Sequence, residues 1–595
     1  MNNALLLLTA FCITCLSCSK GPDVYLVPVD ESANTVELSI VKNNHVEYRI
    51  DIPLALSEKI DYYVPLDLGH FNAKPGDVSF KDVDAKDAWA VIKPCSEPFT
   101  VPSDKFRPVY HHTPEYGWMN DANGLFYKDG VYNLYYQYNP YAAKWGNMHW
   151  GHSTSTDLVH WKTQPIAIYR DDYGHIFSGC SVIDYNNTAG FGEGAVISFY
   201  TSWNTSRDLI QTQCLAYSTD GGMTFTKYES NPVLTPYDGI KDFRDPKVIW
   251  YDPEKKWIMI VSADSEMRFY SSSDLKEWKH ISNWGKGYGV QPRQFECPDF
   301  FPLTTEEGET KWVLIVNVNP GCYFGGSGTE YFVGEFDGTA FTCDSPKDTV
   351  KWLDWGKDHY STVSFYGIKD RVVVVPWMSN WQYAAVVPTK YFRGVNAFPR
   401  ILGLYKDSGE FYVSVNPVPE LSILEKGTKT LQVKVNSGAV NMYDKTDGAY
   451  ELNAEISSLS NGKSCIRLSN QEGDYVDLYF DAATKRFVMD RTKSGEIAFG
   501  ENSTIHVIEN HDRRKTYSMN YVNDFALATW APIKLSGSHT LKILCDKSSF
   551  EIFIDGGKLA MTNIVFPSSP FNKIELISDK PGFEVSSLSV TDLDY

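Results

Sequence analysis

Short runs of alternating apolar and polar residues recur along most of the chain. Such runs occur at Thr35–Ile40, Glu47–Ile52, Thr430–Val435 and Tyr475–Phe480, and segments rich in Gly, Asn and Asp separate runs of this kind. A period of two places successive side chains on opposite faces of a β-strand, whereas a period near 3.6 indicates a helix. Because few segments show the helical period, the pattern predicts an all-β protein.

A repeated motif divides the middle of the chain into similar units. Asp157, Asp220, Asp274 and Asp337 each precede an aromatic residue by four or five positions, and they are 63, 54 and 63 residues apart. A period of this size with β-rich content is typical of propeller blades, and it predicts about five blades in residues 101–415. We therefore expect these aspartates to turn hairpins and to take no part in catalysis.

The pattern predicts three folded regions, which agrees with a length of 595 residues. A small N-terminal β domain covers residues 24–98, with Lys93–Pro98 as the linker that leaves it. The five-bladed β-propeller of residues 101–415 is followed by a C-terminal β-sandwich at residues 420–595. The N-terminal domain contains no candidate chemistry, so a spacer, a support for the main domain and a carbohydrate-binding module are all left open.

The first 18 residues have the pattern of a processing signal. The apolar run Ala4–Leu16 is too short to span a bilayer, and polar residues follow it at once. Its end, Cys-Leu-Ser-Cys at residues 15–18, resembles a bacterial lipoprotein signal, which implies lipidation of Cys18. A plain secretory signal is the alternative. We expect an exported lipoprotein that is anchored in a membrane on the periplasmic side or at the cell surface.

Composition and charge narrow the classes of partner. The net charge is −19, which argues against nucleic acid and anionic membrane surfaces, so a lipid anchor is the only membrane contact we expect. Aromatic residues make up 14% of the chain, which suits carbohydrate contact as well as β-rich cores. The eight cysteines beyond Cys18 are widely spaced and show no metal-binding pattern, so we predict no metal and no cofactor.

The strongest candidate chemistry lies in residues 116–152. There Asp121 stands between two asparagines and shortly before Gly124, residues that allow a carboxylate to be presented on a tight turn. Many aromatic and amide side chains surround this one acid, as in a sugar site, where rings contact sugar carbons and amides bind hydroxyls. The alternative is a tyrosine-rich sheet with a solvated turn.

This stretch resembles the signature of glycoside hydrolase family 32, the fructan hydrolases and invertases. The segment Trp-Met-Asn-Asp-Ala-Asn-Gly at residues 118–124 differs from the family motif at Ala122, where the family has Pro. The resemblance implies a five-bladed propeller, with Asp121 as the nucleophile. It also implies that Asn120, Gln137 and Trp145 line the subsite for the terminal fructose.

Two further motifs resemble those of the same family. Arg-Asp-Pro at residues 244–246 implies that Asp245 binds fructose hydroxyls and stabilises the transition state, and Arg244 would hold that carboxylate ionised. Glu-Cys-Pro at residues 296–298 implies that Glu296 is the acid/base, with a packing role for Cys297. On chemistry alone Asp299 competes with Glu296, and only the resemblance selects between them. Blades converge on one axis, so acids remote in sequence can meet there.

Three aromatic or hydroxyl candidates complete the predicted site. The segment Phe177-Ser178-Gly179 resembles a family loop and offers Phe177 and Ser178 as sugar contacts. Trp377 or Trp381 could supply a stacking face, and a buried core position is the alternative for either.

The leading functional hypothesis is a retaining hydrolase of β-fructofuranosidic linkages in levan or inulin, favouring exo action that releases fructose. An invertase and an endo-fructanase on the same scaffold are alternatives, followed by a fructosyltransferase and a non-catalytic fructan-binding protein. A propeller enzyme acting on other furanosides, such as arabinan, is a third class. The sequence does not indicate an oligomeric state.

Overall fold

The structure is a computed structural model that describes residues 23–97, 99–171, 173–203, 210–291, 294–434, 440–443, 448–459, 462–510, 513–535, 537–580 and 583–595. The predicted signal segment, residues 1–18 with Cys18, lies outside the described residues. No helix within these ranges is long and apolar enough to cross a lipid bilayer.

The N-terminal domain consists of two three-stranded antiparallel sheets around one apolar core. A single α-helix, Ala85–Val91, begins after Asp84, whose side chain accepts a hydrogen bond from the backbone of Lys86. The strand pattern does not predict this helix. Lys93–Pro94, at the start of the expected linker, instead pairs with the first strand of the domain.

In spatial order the strands of the N-terminal domain are Tyr62–Asp67, Val24–Val29 and Lys93–Pro94 in one sheet and His45–Ile52, Val36–Lys42 and Val78–Phe80 in the other. A 3₁₀ turn covers Pro75–Asp77.

Five antiparallel sheets follow as blades I to V, and the first strands of neighbouring blades contact one another around a ring. Blade I gains a fifth strand, Phe392–Arg393, which pairs in parallel with Gly117 and Trp118 and links blade V back to blade I. The strands are Gly117–Lys128, Val131–Asn139, His149–Ser155 and Lys162–Ile168 in blade I; His175–Asp184, Ala195–Trp203, Gln211–Ser218 and Thr226–Lys227 in blade II; Phe243–Tyr251, Lys256–Ala263, Glu266–Ser272 and Lys279–Trp284 in blade III; Phe295–Thr304, Thr310–Val318, Gly328–Phe336 and Phe341–Cys343 in blade IV; and Tyr360–Ser364, Val372–Trp377, Arg400–Asp407 and Glu410–Pro417 in blade V.

Apolar cores lie between adjacent blades. Each blade is packed between two neighbours, so its second strand is buried on both faces and reads as a nearly continuous apolar run. The strands Ala195–Trp203 and Val372–Trp377 show this burial. The alternation that marks a half-buried strand is therefore weak in the strands that hold the blades together.

The repeated aspartates turn hairpins, as predicted. Asp157 Oδ1 accepts hydrogen bonds from the backbone of Val159 and His160, and Asp274 Oδ1 makes the same contacts with Lys276 and Glu277. The side chains of Asp220 and Asp337 also accept two backbone N–H groups each. These carboxylates satisfy backbone donors in turns that follow the third strand of a blade.

The C-terminal region is a sandwich of two six-stranded antiparallel sheets around a separate core. In spatial order the strands are Glu425–Lys434, Glu584–Leu593, Tyr450–Ser457, Ser538–Asp546, Ser549–Ile554 and Leu559–Ile564 in one sheet, and Val440–Tyr443, Lys573–Ser578, Lys463–Ser469, Tyr475–Asp481, Arg486–Lys493 and Ala528–Pro532 in the other. A hairpin of Thr504–Asn510 and Arg513–Ser518, the short helix Tyr521–Asp524 and 3₁₀ turns at Asp252–Glu254 and Pro419–Leu424 complete the described elements.

Buried ion pairs join the propeller to the sandwich. Arg400 of blade V pairs with Glu551 of the sandwich at 2.6 Å and with Asp354 at 2.9 Å, all with side chains 0% exposed. Although burial opposes it, hydrogen bonds with Asp546 and Glu551 raise the pKa of His111 to about 9. Separating the two domains would leave the charges of these residues without their partners, which costs free energy. These contacts therefore hold the sandwich against the propeller. The predicted fold class, with its propeller, sandwich and small N-terminal β domain, is confirmed.

Candidate active site

The first strand of every blade contains a β-bulge near its start. Within each bulge this strand has one residue more than the second strand with which it pairs. Three bulge residues, Asp245, Cys297 and Ser361, have φ of 62°, 41° and 50°, the left-handed region that is uncommon for residues other than Gly. A bulge redirects side chains, so five short segments present their side chains at one end of the axis. The bulges lie between Met119 and Ala122, Ile176 and Gly179, Arg244 and Lys247, Glu296 and Asp299, and Tyr360 and Val363.

Asp121 lies in the bulge of blade I and is buried. Ser178 of blade II donates a hydrogen bond to its Oδ2 at 2.7 Å, whereas Oδ1 has no hydrogen-bond partner among the described residues. Burial raises the pKa of Asp121, the hydrogen bond from Ser178 opposes this, and the charge on Glu296 adds to it. Within the described part of the chain, Oδ1 is thus the oxygen of this carboxylate that no neighbouring group engages.

Asp245 lies in the bulge of blade III, beside Asp121. The backbone N–H of Cys297 donates to Asp245 Oδ2 at 3.0 Å, and Cys297 Sγ lies 3.5 Å from both Asp245 Oδ2 and Asp121 Oδ2. Burial raises the pKa of Asp245 to about 7, with Arg244 opposing and the charges on Glu296 and Asp121 adding to the rise. Cys297, expected only to pack, therefore connects two of the three acids.

Glu296 immediately precedes the bulge of blade IV, and its side chain is 17% exposed, more than Asp245 at 6%. Arg244 donates to its Oε1 from Nη2 at 2.7 Å and from Nε at 3.2 Å. The hydroxyl of Tyr360 donates to Oε2. Tyr360 begins the first strand of blade V and belongs to no recognised motif, so sequence reasoning missed it. Both carboxyl oxygens are thus oriented by neighbouring blades.

Arg244 lies at the limit of ion-pair distance from Asp245, and its charge opposes the rise in the pKa of that carboxyl group, but Arg244 contacts Glu296 more closely. Arg244 Nε is 4.0 Å from Asp245 Oδ2, whereas its short contacts, both 2.7 Å, go to Glu296 and Asp242. The bulge at Asp245 changes the direction of consecutive side chains, which a regular strand would place on opposite faces. Arg244 therefore orients Glu296, and its contact with sugar stays a prediction.

Asp299 is a structural residue. It is 0% exposed and pairs with Lys247 Nζ at 2.9 Å, while the backbone and hydroxyl groups of Ser364 also donate to it. These contacts tie together blades III, IV and V. Because the Asp299 side chain is 0% exposed whereas that of Glu296 is 17% exposed, only Glu296 can reach a substrate, and geometry now favours Glu296 where chemistry alone left both open.

The two predicted amide contacts lie beside Asp121. The pairing register places Gln137 opposite the bulge that contains Asn120 and Asp121. Gln137 Nε2 donates to the carbonyl of Ile176 at 2.8 Å, and Asn120 Oδ1 accepts from Trp118 Nε1 at 2.8 Å. Both amides are therefore fixed in orientation, and their binding of sugar hydroxyls stays a prediction.

An aromatic group borders the site on the side of blades I and II. We call Trp145, His175, Phe177 and Trp203 the mouth cluster. Trp145 is 42% exposed, and its ring centroid lies 6.0 Å from Phe177, 6.1 Å from His175 and 6.4 Å from Trp203. The predicted contacts Trp145 and Phe177 thus belong to one surface, next to Ser178. Trp203, which no motif marks, is an additional member.

Trp377 has no exposed face on which a sugar ring could stack. Its side chain is 0% exposed, and the ring of the half-buried Trp381 lies 4.9 Å from it. Trp377 ends the second strand of blade V, a position covered on both faces. The core alternative therefore holds for Trp377, and Trp381 keeps an accessible surface.

The structure thus brings the three predicted acids to one end of the axis, each from a different blade. Within the described ranges, no group of three or more His, Cys, Asp or Glu side chains is arranged to hold a metal ion. The arrangement offers one buried carboxylate with an unpartnered oxygen and one more exposed carboxyl group. This pairing suits nucleophilic and proton-transfer chemistry at a single bond.

Comparison with known protein families shows to which family this chain belongs. Residues 111–414 match the Glycosyl hydrolases family 32 N-terminal domain, and residues 420–592 match the Glycosyl hydrolases family 32 C terminal domain. The chain belongs to glycosyl hydrolase family 32. This family member is therefore a glycoside hydrolase. Its residues 12–110 match a separate domain family of unknown function.

Known relatives agree with this assignment. This family 32 chain is 39% identical over 498 residues to a levanase of Bacillus subtilis, which covers 82% of this chain and 70% of the relative. It is 35% identical over 518 residues to an extracellular exo-inulinase of Aspergillus ficuum, covering 80% and 92%. The crystal structure of an exo-inulinase from Aspergillus awamori matches with a TM-score of 0.74 at 32% identity, covering 83% of this chain and 99% of that one. A fructofuranosidase from Schwanniomyces occidentalis in complex with fructose matches with a TM-score of 0.72 at 31% identity, covering 84% and 100%.

Replacing Asp245 by Asn should make the protein more stable at pH 8 but not at pH 4. The folded-state pKa of Asp245 is about 7 against a usual 3.8, so wild-type stability is reduced as pH rises through this window. Asn carries no charge and keeps an oxygen for the Cys297 N–H. Thermal unfolding at both pH values should show a gain at pH 8 of a few kcal/mol, with about 4 kcal/mol as the upper limit. An equal gain at pH 4 would contradict the assigned cause.

Proposed function

We propose that this family 32 hydrolase cleaves β-fructofuranosidic linkages of levan or inulin with retention, from the chain end, and releases fructose. The observation that carries the proposal is the meeting of Asp121 and Glu296, from blades I and IV, in one cluster with Asp245. Two nearby carboxyl groups in different environments are what a retaining glycosidase requires, one as nucleophile and one as proton donor.

In the first step, Asp121 Oδ1 attacks C2 of the terminal fructose while Glu296 donates a proton to the departing glycosidic oxygen. The C2–O bond breaks, and a covalent fructosyl-enzyme forms. Asp245 accepts hydrogen bonds from fructose hydroxyls, and these strengthen as the ring approaches the oxocarbenium-like transition state. Ser178 keeps Asp121 Oδ2 in place throughout, since it is bonded to the oxygen that does not attack.

In the second step, Glu296 removes a proton from water, and the resulting nucleophile attacks C2 and frees Asp121. Fructose leaves with the configuration at C2 unchanged, and both carboxyl groups return to their starting protonation states. Arg244 and Tyr360 hold Glu296 on opposite oxygens, which limits its rotation between the two steps.

The choice of fructan and of exo action is supported by two similar proteins, a levanase and an extracellular exo-inulinase. The exposed Trp145 beside Phe177 supplies a surface on which a fructose ring could stack. Invertase activity is the second candidate, because invertases of Debaryomyces hansenii and Saccharomyces cerevisiae are each 35% identical to this chain.

Product analysis tests the proposal. The protein is incubated separately with levan, inulin, sucrose and arabinan, and the products are chromatographed at early times. Free fructose from the first sample of levan or inulin, with no intermediate oligosaccharides, is the expected result. Early oligosaccharides would establish endo action, cleavage of sucrose alone would establish an invertase, and cleavage of arabinan alone would refute the proposal.

We propose also that the protein is exported and anchored in a membrane by a lipid on Cys18, as its Cys-Leu-Ser-Cys segment suggests. Such a location fits an enzyme that acts on polymers too large to enter a cell. Replacing Cys18 with Ser should move the protein from the membrane fraction to the soluble fraction and remove the lipid mass from its N-terminus. If Cys18→Ser protein stays in the membrane fraction, the lipid anchor is wrong.

A further inference from the structure

One loop of blade I contacts both the N-terminal domain and the aromatic mouth cluster. This rim loop, residues 140–148, joins the second and third strands of blade I. Its Trp145 is 42% exposed and belongs to the mouth cluster. Its Tyr141 and Ala143, by contrast, are 4% and 0% exposed and complete the apolar core of the N-terminal domain. The loop therefore connects that domain with the surface next to Asp121.

Ahead of Trp145, the N-terminal domain and the added strand of blade I together fix the backbone of the rim loop at Ala143. The N–H of Ala143 donates to the hydroxyl of Tyr62 at 2.9 Å, and its carbonyl accepts from Arg393 Nη1 at 2.6 Å. Glu31 joins these two partners, because it accepts from the Tyr62 hydroxyl at 2.8 Å and pairs with Arg393 at 3.3 Å. Both backbone groups of Ala143, two residues before Trp145, are thus held in one connected network.

After Trp145, the side chain of Asn147 forms a second attachment. Asn147 Oδ1 accepts from the backbone N–H of Asp51 at 2.8 Å, and its Nδ2 donates to the carbonyl of Asp51 at 2.6 Å. Asn147 is 2% exposed and has φ of 46°, so its position is strongly restricted. The hydroxyl of Tyr48 also lies 3.1 Å from that of Tyr141. The loop is therefore held on both sides of Trp145.

We infer that the N-terminal domain is a positioning domain, which holds the rim loop so that Trp145 lies ready at the mouth of the propeller. The inference rests on the proposed function, in which Trp145 contacts the terminal fructose. A loop of this length without such attachments would sample many conformations and lose that freedom when sugar binds. The N-terminal domain, which contributes no atom to the chemistry, thus acts on substrate affinity through Trp145.

The test removes one hydroxyl from the attachment. Tyr62→Phe deletes the group that accepts the Ala143 N–H, and Tyr63→Phe is the matched control. Tyr63 is the next residue of the same strand, on its other face, where its hydroxyl contacts Lys93 of its own domain. With a fructo-oligosaccharide of defined length, Tyr62→Phe should raise KM about 3- to 10-fold and leave kcat within about twofold. Tyr63→Phe should change neither.

Two further measurements separate positioning from a general loss of stability. In a Trp145→Ala background, Tyr62→Phe should raise KM no further, because the residue being positioned is gone. Hydrogen exchange in residues 140–148 should be faster in Tyr62→Phe than in wild type or Tyr63→Phe, whether or not substrate is cleaved. Additive effects on KM, or unchanged exchange in the rim loop, would overturn the inference. Failure of the wild type to cleave any fructan would instead refute the proposed function, and the exchange result would still decide the role of the domain.

Discussion

Replacing Asp121 with Asn should lower kcat/KM on fructan by about 10⁴-fold or more, because the attacking oxygen loses its negative charge. Asn has the shape of Asp and keeps an oxygen for the hydrogen bond from Ser178, so the loss is one of chemistry and not of folding. The fructosyl-enzyme should also disappear. Mass spectrometry of protein quenched during turnover should therefore detect the added fructosyl mass in wild type and its absence in Asp121→Asn.

The matched control is Asp220→Asn, which makes the same chemical change at a hairpin turn of blade II. We assign Asp220 no part in catalysis. Asp220 accepts backbone N–H groups through Oδ1, which Asn can also do. Wild-type rates are expected for this variant. If Asp121→Asn kept more than about a tenth of wild-type activity, the nucleophile would have to be another residue.

Replacing Glu296 with Gln should lower activity on fructan by about 10²- to 10⁴-fold, the usual contribution of general acid–base catalysis. The deficit should depend on the leaving group. With β-fructosyl fluoride, whose fluoride departs without a proton, formation of the fructosyl-enzyme should be nearly restored. Its hydrolysis should stay slow because no base activates water, and added azide should release it as fructosyl azide. An equal loss with fructan and with the fluoride would contradict the role of Glu296.

Asp299→Asn provides the contrast for Glu296. This change leaves Lys247 buried without its carboxylate partner, so it should lower the free energy of unfolding by about 3 kcal/mol. The molecules that remain folded should cleave fructan at nearly the wild-type rate. The reverse pattern, with Asp299→Asn inactive and Glu296→Gln active, would exchange the two assignments.

Much of the fold could be predicted because it depends on local patterns. Strand alternation, turn residues and the spacing of four aspartates suffice for an all-β chain with about five blades. Trp377 could not be placed in this way, because its burial depends on the neighbouring blades that cover both faces of its strand. The helix Ala85–Val91 could not be predicted for a different reason. A helix of seven residues is too short to show a clear helical period in the sequence.

The three acids could be predicted because each lies in a short motif that resembles a family signature. Their partners could not, because the partners come from other blades. Tyr360 bonds Glu296 across 64 residues of sequence, and Arg244 reaches Glu296 across 52. The role that we infer for the N-terminal domain could not be predicted from the sequence at all. On either side of Trp145 the attachment pairs a side chain with a backbone group, Tyr62 with Ala143 and Asn147 with Asp51, and a backbone group has no signature in the sequence.

The parallel pairing of Phe392–Arg393 with Gly117 and Trp118 has a consequence for biosynthesis. A nascent polypeptide emerging from the ribosome already carries every carboxylate of the site once residue 296 has appeared. The annulus closes only about a hundred residues later, when the strand from blade V reaches the first blade. Because so distant a contact is slow to form, catalytic competence is a late event in folding, gained with the final joining of the two ends of the ring.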